Sequence, residues 1–164
     1  MEKFTGKVWV LGDDIDTDII IPTEYLALPT VEDMKQYGIS PLRPELAGLI
    51  GEGDIIVAGK NFGCGSSREQ APEIIKALKV KCVIAKSFAR IFFRNSINNG
   101  LLLIENDQIQ DAVKEGDKID VILGESITLN GQTYPIHSLP DNLMDIINAG
   151  GLVAAMKKRN GITE

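Results

Sequence analysis

The stretch GDIIVAGKNFGCGSSREQAP, residues 53–72, reads as a strand, a glycine-rich bend and the beginning of a helix, and it decides the fold class. Ile55–Ala58 is a short unbroken apolar run, the pattern of a buried strand. Beyond the bend, Ala71, Ile74, Ile75 and Leu78 fall at i, i+3, i+4 and i+7, so a helix there carries one apolar stripe. Between them, Gly63 and Gly65 bracket Cys64. With no Cβ at either glycine, the backbone can turn sharply and leave room for a ligand. Ser66 and Ser67 stand at the expected helix start, with Glu69 and Gln70 three residues further on, the spacing of a capping box. Unpaired N–H groups at such a start attract an anion, and Arg68 adds a planar fork suited to a carboxylate. Pro72 restricts where regular helix begins, because it has no N–H. The same spacing also suits a plain helix cap with Arg68 as a surface charge, and spacing alone does not separate the two readings. No GK[ST] ends the loop and no G-x-S-x-G elbow occurs, so neither a nucleotide P-loop nor a hydrolase nucleophile is indicated.

The flanking sequence continues the alternation of short strands and helices. Further strands are expected at 8–11, 83–85, 101–104 and 118–123, with a hairpin formed by Ser126–Leu129 and Gln132–Pro135. Asn130-Gly131 is the two-residue turn that matches strand twist. Ser87 is placed to cap a helix carrying Phe88, Ile91 and Phe92 toward the core, with Gly100 just past its end. Asp141 is placed to cap a helix that Gly150-Gly151 interrupts, and 152–159 continues it to a stop at Gly161. Residues 23–53 differ: Pro22, Pro29, Pro41 and Pro44 break them into short pieces, with helical turns expected at 31–37 and 44–50. They form an excursion from the core. The 164 residues suffice for one domain with a sizeable core. The expected architecture is a single α/β domain over 1–164, its sheet barrel-like and flanked by helices.

Composition narrows the function. A formal net charge of -6 without any Lys/Arg run excludes nucleic acid and anionic membrane surfaces as partners. A small anionic substrate stays compatible, because a local arginine and oriented N–H groups override a weak global field. The first residues lack the apolar core of a secretory signal, and no stretch approaches the roughly 20 apolar residues of a membrane span. Cys64 and Cys82 are far apart with no CxxC pair, so they are read as thiols of a reducing cytoplasm, without a zinc or disulfide framework.

A second informative stretch is GDDIDTDIIIP, residues 12–22. Its acids Asp13, Asp14, Asp16 and Asp18 are dense enough to suggest calcium, but the glycine and distal glutamate of a helix–loop–helix site are missing. Either Asp16 and Thr17 bond their own backbone in a turn, or one carboxylate lies beside Ser66 or Arg68 and orients it.

Three blocks, DDIDTDIIIPTEYL (13–26), GDIIVAGKNFGCGSSREQAP (53–72) and VIAKSFARIFFRNSINNGL (83–101), together resemble the small-subunit, or swivelling, domain of the aconitase superfamily. Within it they are most similar to the short-form small subunits of 3-isopropylmalate dehydratase. The resemblance covers about one third of the chain, with the blocks in the family's order and spacing. It implies a β/β/α barrel-like domain closing over a partner chain. It implies Ser66 as the general base, Ser67 and Arg68 as ligands of a substrate carboxylate, and Asp18 as an active-site aspartate. The implied reaction is dehydration and rehydration of a hydroxy acid, interconverting 2- and 3-isopropylmalate in leucine biosynthesis. Methylmalate or citraconate, dimethylmalate, and homocitrate or homoaconitate are the alternatives among relatives. A [4Fe-4S] cluster is expected on a large subunit, since this chain has only two distant cysteines for a cluster that needs three thiolates. No metal site is expected here, and Cys64 is read as a small packed residue.

Two departures bear on the substrate. Homoaconitase-like relatives resemble the chain as far as Tyr25-Leu26 and then carry an arginine, where this chain has Ala27 and Leu28. Tyr25, Leu26, Ala27 and Leu28 are therefore expected to form a specificity loop with an apolar surface for a branched alkyl group. Leu26 and Leu28 read equally well as anchors of that loop to the core. The more usual histidine after Ser-Arg-Glu is Gln70. Arg90 and Arg94 share one side of their helix, free to pair with acids, meet the partner or face water. Two other classes compete with this one: a hydrolase using Ser66 or Ser67 with His137, for which no triad spacing exists, and a non-catalytic anion-binding module.

Overall fold

Parallel strands buried on both faces explain the architecture. The computed structural model describes residues 3–137 and 139–159. Its strands are β1 (Lys3–Val10), β2 (Ile55–Ala58), β3 (Cys82–Ala85), β4 (Leu102–Glu105), β5 (Lys118–Ile122), β6 (Ser126–Leu129) and β7 (Gln132–Pro135). They form one sheet in the order β4-β3-β2-β1-β5-β6-β7. β1 to β4 run parallel, and β5 to β7 join antiparallel. Every residue of β2 and β3 is buried, as strands covered on both faces must be. Ile56, Ala58, Val83 and Ala85 join one core with Trp9 and Leu103. Their neighbours Ile55, Val57, Cys82 and Ile84 join the other, with Val8, Val121 and Ile127.

The helices divide between the two faces. α4 (Gln70–Ala77) and α5 (Arg90–Asn98) follow β2 and β3 as crossovers and give Ile74, Ile75 and Phe92 to the first core. α6 (Ile109–Ala112) gives Ile109 to the second. The barrel-like sheet expected from sequence is a curled half-barrel: β4 and β7 do not pair, but Asn106 Nδ2 after β4 donates to the Pro135 carbonyl at 3.3 Å. β1 is longer than expected because it serves both halves. Its first part, Lys3 to Lys7, pairs with β5, and Val8 to Val10 pair with β2. The hairpin falls where the sequence put it, with Asn130 at φ 50° and Gly131 at φ 81°.

Some local expectations are corrected. Ser87 does not cap α5; Ala89 stands at that position, and Ser87 Oγ instead accepts the Asn61 N–H at 2.9 Å. The cause is a parallel bridge between Phe62 and Phe88, with Phe62 N–H donating to Ser87 O and Ala89 N–H to Phe62 O, which keeps 87–89 extended. The shift rotates Ile91 outward to 58% exposure, while Phe92 is buried and Phe88 packs partly on the core. Asp141 is the first residue of α7 (Asp141–Ala149), and Pro140 holds its cap position. Gly150 and Gly151 separate α7 from α8 (Leu152–Arg159) as expected; the stop at Gly161 lies outside the described residues.

Residues 23–53 contribute α2 (Val31–Met34), a tight turn at Lys35–Tyr37, and α3 (Leu46–Leu49). Met34, Ile39 and Leu46 sink into the same core as α4, so the excursion covers the sheet instead of standing away from it. Arg43 ties it to the far side: its guanidinium grips Glu115 through Nη1 and, at 3.1 Å, Nη2, and lies 5.9 Å from the Trp9 ring centre. Glu115 also accepts the Val10 N–H at 3.1 Å. The hydrogen bond from Arg43 is the main cause that holds the Glu115 carboxyl below its ordinary range, against desolvation.

The bend after β2 is fixed by a close approach. Gly63 has φ 85°, and a Cβ there would sit 2.1 Å from Cγ of Phe92. Only glycine fits both the backbone angle and the ring. Gly63→Ala is expected to destabilise the fold by about 2–4 kcal/mol, from overpacking plus left-handed strain, read as a lower urea midpoint. A carboxyl whose folded pKa is depressed adds stability above its unfolded pKa, and that stability is lost as pH falls through the folded value. Glu115→Gln should therefore cost about 0.5 kcal/mol near pH 7, after allowance for solvent screening. The difference from the parent chain should vanish once the pH falls well below about 4.3, the ordinary glutamate value. Paired urea melts at several pH values check this.

Candidate active site

The loops that leave β1 and β2 are stitched together along their length. Gly59 N–H donates to Gly12 O at 3.0 Å, Asp14 N–H to Lys60 O at 2.7 Å, Gly63 N–H to Ile15 O at 2.7 Å and Thr17 N–H to Cys64 O at 2.9 Å. The parallel pairing of the two strands is thereby continued beyond their ends. Parallel sheets place ligands at the carboxyl ends of their strands, and these loops lie there.

The acidic run supplies the side-chain stitches. Asp13 accepts the Lys60 N–H at 2.8 Å, and Asp14 accepts from Asn61 Nδ2 at 3.1 Å. Asp16 caps α1 (Thr17–Ile20) by accepting the Ile19 N–H at 2.9 Å. Three of these four carboxylates thus hold backbone or an amide in place. The fourth, Asp18, lies 2.5 Å from Nη2 of Arg68. Asp16 thus bonds its own backbone as the turn reading expects, Thr17 instead sends its hydroxyl to Ser66 O, and Asp18 is the carboxylate that lies beside Arg68. Arg68 is further fixed by donating to Ile21 O at 3.1 Å and to Thr23 Oγ1 at 3.0 Å, with its side chain 16% exposed.

Ser66 and Ser67 are not helix caps. α4 begins at Gln70, Glu69 holds its cap position without a side-chain bond, and both serines lie upstream in the loop. Buried Thr17 explains why: its hydroxyl donates to Ser66 O at 2.7 Å and holds the loop against α1. The serines are consequently exposed and uncommitted. They line a cleft of about 300 Å³ together with Arg68 and, from the other side, Arg90, Ile91 and Asn95. The N–H groups of Ser66, Ser67 and Arg68 meet no acceptor among the described residues, and neither do those of Arg90, Ile91 and Phe92 in the first turn of α5. No acid occupies that first turn. Two sets of residues with unpaired amides, and two arginines, therefore line a cleft whose lining contains no carboxylate, an arrangement that favours a small anion.

The contribution of α5 was missed in the sequence. The available signal was a helix following a parallel strand with no acid in its first turn, so that its N–H groups stay available. The loop at 25–28 sits differently from a pocket wall. Tyr25 stacks on Tyr37 with ring centres 4.0 Å apart, Leu26 and Leu28 pack on the core, and Ala27 is exposed. None of the four lines the cleft, although the Arg68 partners Ile21 and Thr23 immediately precede them.

Cys64 is half-buried between the stitched loops, and its thiol is pushed above the ordinary value by burial first and then by Asp16 and Asp14. A thiol shifted in this direction is a weaker nucleophile and a less ready metal ligand than a free one. No group of three or more His, Cys, Asp or Glu among the described residues could hold a metal ion. His137 is exposed beyond β7 and does not line the cleft, which leaves the serines without an imidazole partner.

Known proteins share this fold. The family model for the aconitase C-terminal domain matches residues 51–109, the segment from before β2 to the first residue of α6. The 3-isopropylmalate dehydratase small subunit of Lachnospira eligens is 79% identical over 161 residues, 98% of either chain. The isopropylmalate/citramalate isomerase small subunit of Methanocaldococcus jannaschii is 46% identical over 157 residues, 94% of each. A crystal structure of 3-isopropylmalate dehydratase from Methanocaldococcus jannaschii superposes with a TM-score of 0.91 at 41% identity, covering 97% of this chain and 96% of that one. Identity at this level over nearly the whole length, on the same curled sheet, establishes that the chain belongs to the family of 3-isopropylmalate dehydratase small subunits.

Proposed function

We propose that this chain is one half of a hydro-lyase and interconverts 2- and 3-isopropylmalate only when joined to a large subunit. The observation that carries the reading is the pair Ser66 and Ser67, exposed and with hydroxyls that have no partner among the described residues, in an anion-favouring cleft beside an arginine locked in place. The names of the relatives support the substrate and the division into two subunits. The residues of this chain do not fit an iron–sulfur cluster, because it has only two cysteines, Cys64 in the loop after β2 and Cys82 in β3, and no metal-holding group of His, Cys, Asp or Glu occurs among the described residues. The [4Fe-4S] cluster of the assembled enzyme belongs to the large subunit.

In this reading Ser66 is the general base. The proton it takes lies on the carbon next to a substrate carboxylate, so negative charge builds on that carboxylate as the C–H bond breaks. The C–H electron pair forms the double bond as the neighbouring carbon loses its hydroxyl as hydroxide, for which the cluster of the large subunit would supply the Lewis acid, and on rehydration the proton and the hydroxide return to exchanged carbons. Arg68 and the free amides of Ser66 and Ser67 stabilise the developing charge more than the ground state, which is what accelerates the step. Asp18 and Thr23 keep the Arg68 guanidinium fixed, so no reorganisation is required during the reaction. A serine hydroxyl is a weak base in water. Cationic and dipolar neighbours in a covered site bring its pKa down, and docking of the large subunit over the cleft would provide the cover.

A second substrate is favoured by one relative, whose name couples isopropylmalate with citramalate, so a methyl-bearing hydroxy acid of that kind is the alternative for the same site. Exposed Ala27, four residues beyond the Arg68 partner Thr23, marks where a longer acid would differ. No described helix is long and apolar enough to cross a membrane, and the thiols fit a cytoplasmic enzyme.

Anaerobic reconstitution with a cluster-loaded large subunit should give absorbance of the unsaturated intermediate with isopropylmalate. Ser66→Ala should lower turnover by about 10²–10⁴-fold with the complex still formed. Unchanged turnover would instead assign this chain a non-catalytic, anion-binding role. Ala27→Arg should shift the ratio of turnover from isopropylmalate toward homocitrate; an unaltered ratio removes the 25–28 loop from substrate selection.

A further inference from the structure

We infer that Arg90 is the second carboxylate-binding residue of the cleft, taking the substrate carboxylate that Arg68 does not. This rests on the hydro-lyase reading. The charged residues lining the cleft are Arg68 and Arg90, one from each wall. Their situations differ. Arg68 spends its guanidinium on Ile21 O, Thr23 Oγ1 and Asp18, and the Asp18 carboxylate offsets its charge. Arg90 has no hydrogen-bond or ion-pair partner among the described residues and is exposed at the start of α5. A dianion entering the cleft therefore meets one arginine that is fixed but neutralised and another whose positive charge is uncompensated. On a chain of net charge -6, that local cation is what makes a doubly charged acid welcome.

The shape of the group fits the task. A guanidinium grips a carboxylate through two parallel N–H donors, which orients the acid as well as holding it. Asn95, on the same helix and lining the same cleft, offers an amide beside it. Arg94 is the internal comparison: it is an exposed arginine on α5 too, but it does not line the cleft. Position in the cleft, and not mere positive charge on the helix, is thus the property under test.

The experiment uses the two-subunit enzyme with Arg90→Gln, Arg90→Lys and Arg94→Gln, each checked for fold by circular dichroism. Affinity for the large subunit is measured separately from turnover. Arg90→Gln should lower kcat/KM for isopropylmalate about 10- to 100-fold, chiefly through KM, with unchanged affinity for the large subunit. Arg90→Lys should fall between, because it keeps charge without the fork, and Arg94→Gln should match the parent enzyme. A saturated dicarboxylate inhibitor should lose its advantage over its own monoamide in Arg90→Gln, which a merely structural role would not produce. Parent-like kcat/KM in Arg90→Gln overturns the inference. So does a loss that tracks weakened subunit association, which would make Arg90 a partner contact. If Arg90→Gln does not fold, Arg90→Lys decides: parent-like KM and inhibitor preference overturn the inference, and a raised KM supports it. A parent complex that is assembled, cluster-loaded and inactive with every acid tested removes the hydro-lyase reading, and the inference with it.

Discussion

The parallel pairing of β1 with β2 governs the placement of the cleft, because it does not stop where the strands end. The hydrogen bonds between the two departing loops prolong it by several residues, ending at Thr17 and Cys64. A pair of free loops would have to lose backbone entropy before presenting any side chain in register. Here the backbone groups that would otherwise need water satisfy one another, and the acidic run adds side-chain acceptors at the same seam. The serine pair and its arginine inherit their placement from the sheet.

Much of this frame was legible in residue patterns. β2, the stripe of α4 and the β6–β7 hairpin are set by signals local to each: an apolar run, a helical period, an Asn-Gly turn. What failed had a nonlocal cause. Ser87 looked like a cap because its neighbours permit a helix, yet the bridge between Phe62 and Phe88 claims that segment for extended backbone. The same bridge turns Ile91 from an inferred core residue into an exposed one. Likewise, the serines match a capping box by spacing, but Thr17, 49 positions away in sequence, holds the loop short of the helix. A contact of that separation leaves no periodic trace in the sequence.

The candidate site was legible in a comparable proportion and for a similar reason. Ser66, Ser67 and Arg68 are consecutive, so a glycine-rich bend announced them. Asp18 could be named but not placed, since only folding brings it 2.5 Å from Arg68. The opposite wall of the cleft comes from α5, and nothing in residues 83–101 by themselves says that this helix begins facing the serines. Anchorage of Leu26 and Leu28 on the core was one of two open readings, and only the packing of the excursion against the core that α4 shares distinguishes it. Resemblance to a family marked these segments as important; geometry gave them neighbours.

The openness of the cleft has a physiological consequence. On the hydro-lyase reading, the serine hydroxyls of the solitary chain are exposed to water, where an alkoxide has no advantage over hydroxide, and newly made protein would be chemically dormant. On the hydro-lyase reading, awakening it requires another polypeptide to expel solvent from that surface. Assembly then doubles as the safety catch: surplus copies awaiting a mate stay harmless, and no dedicated inhibitor has to restrain them.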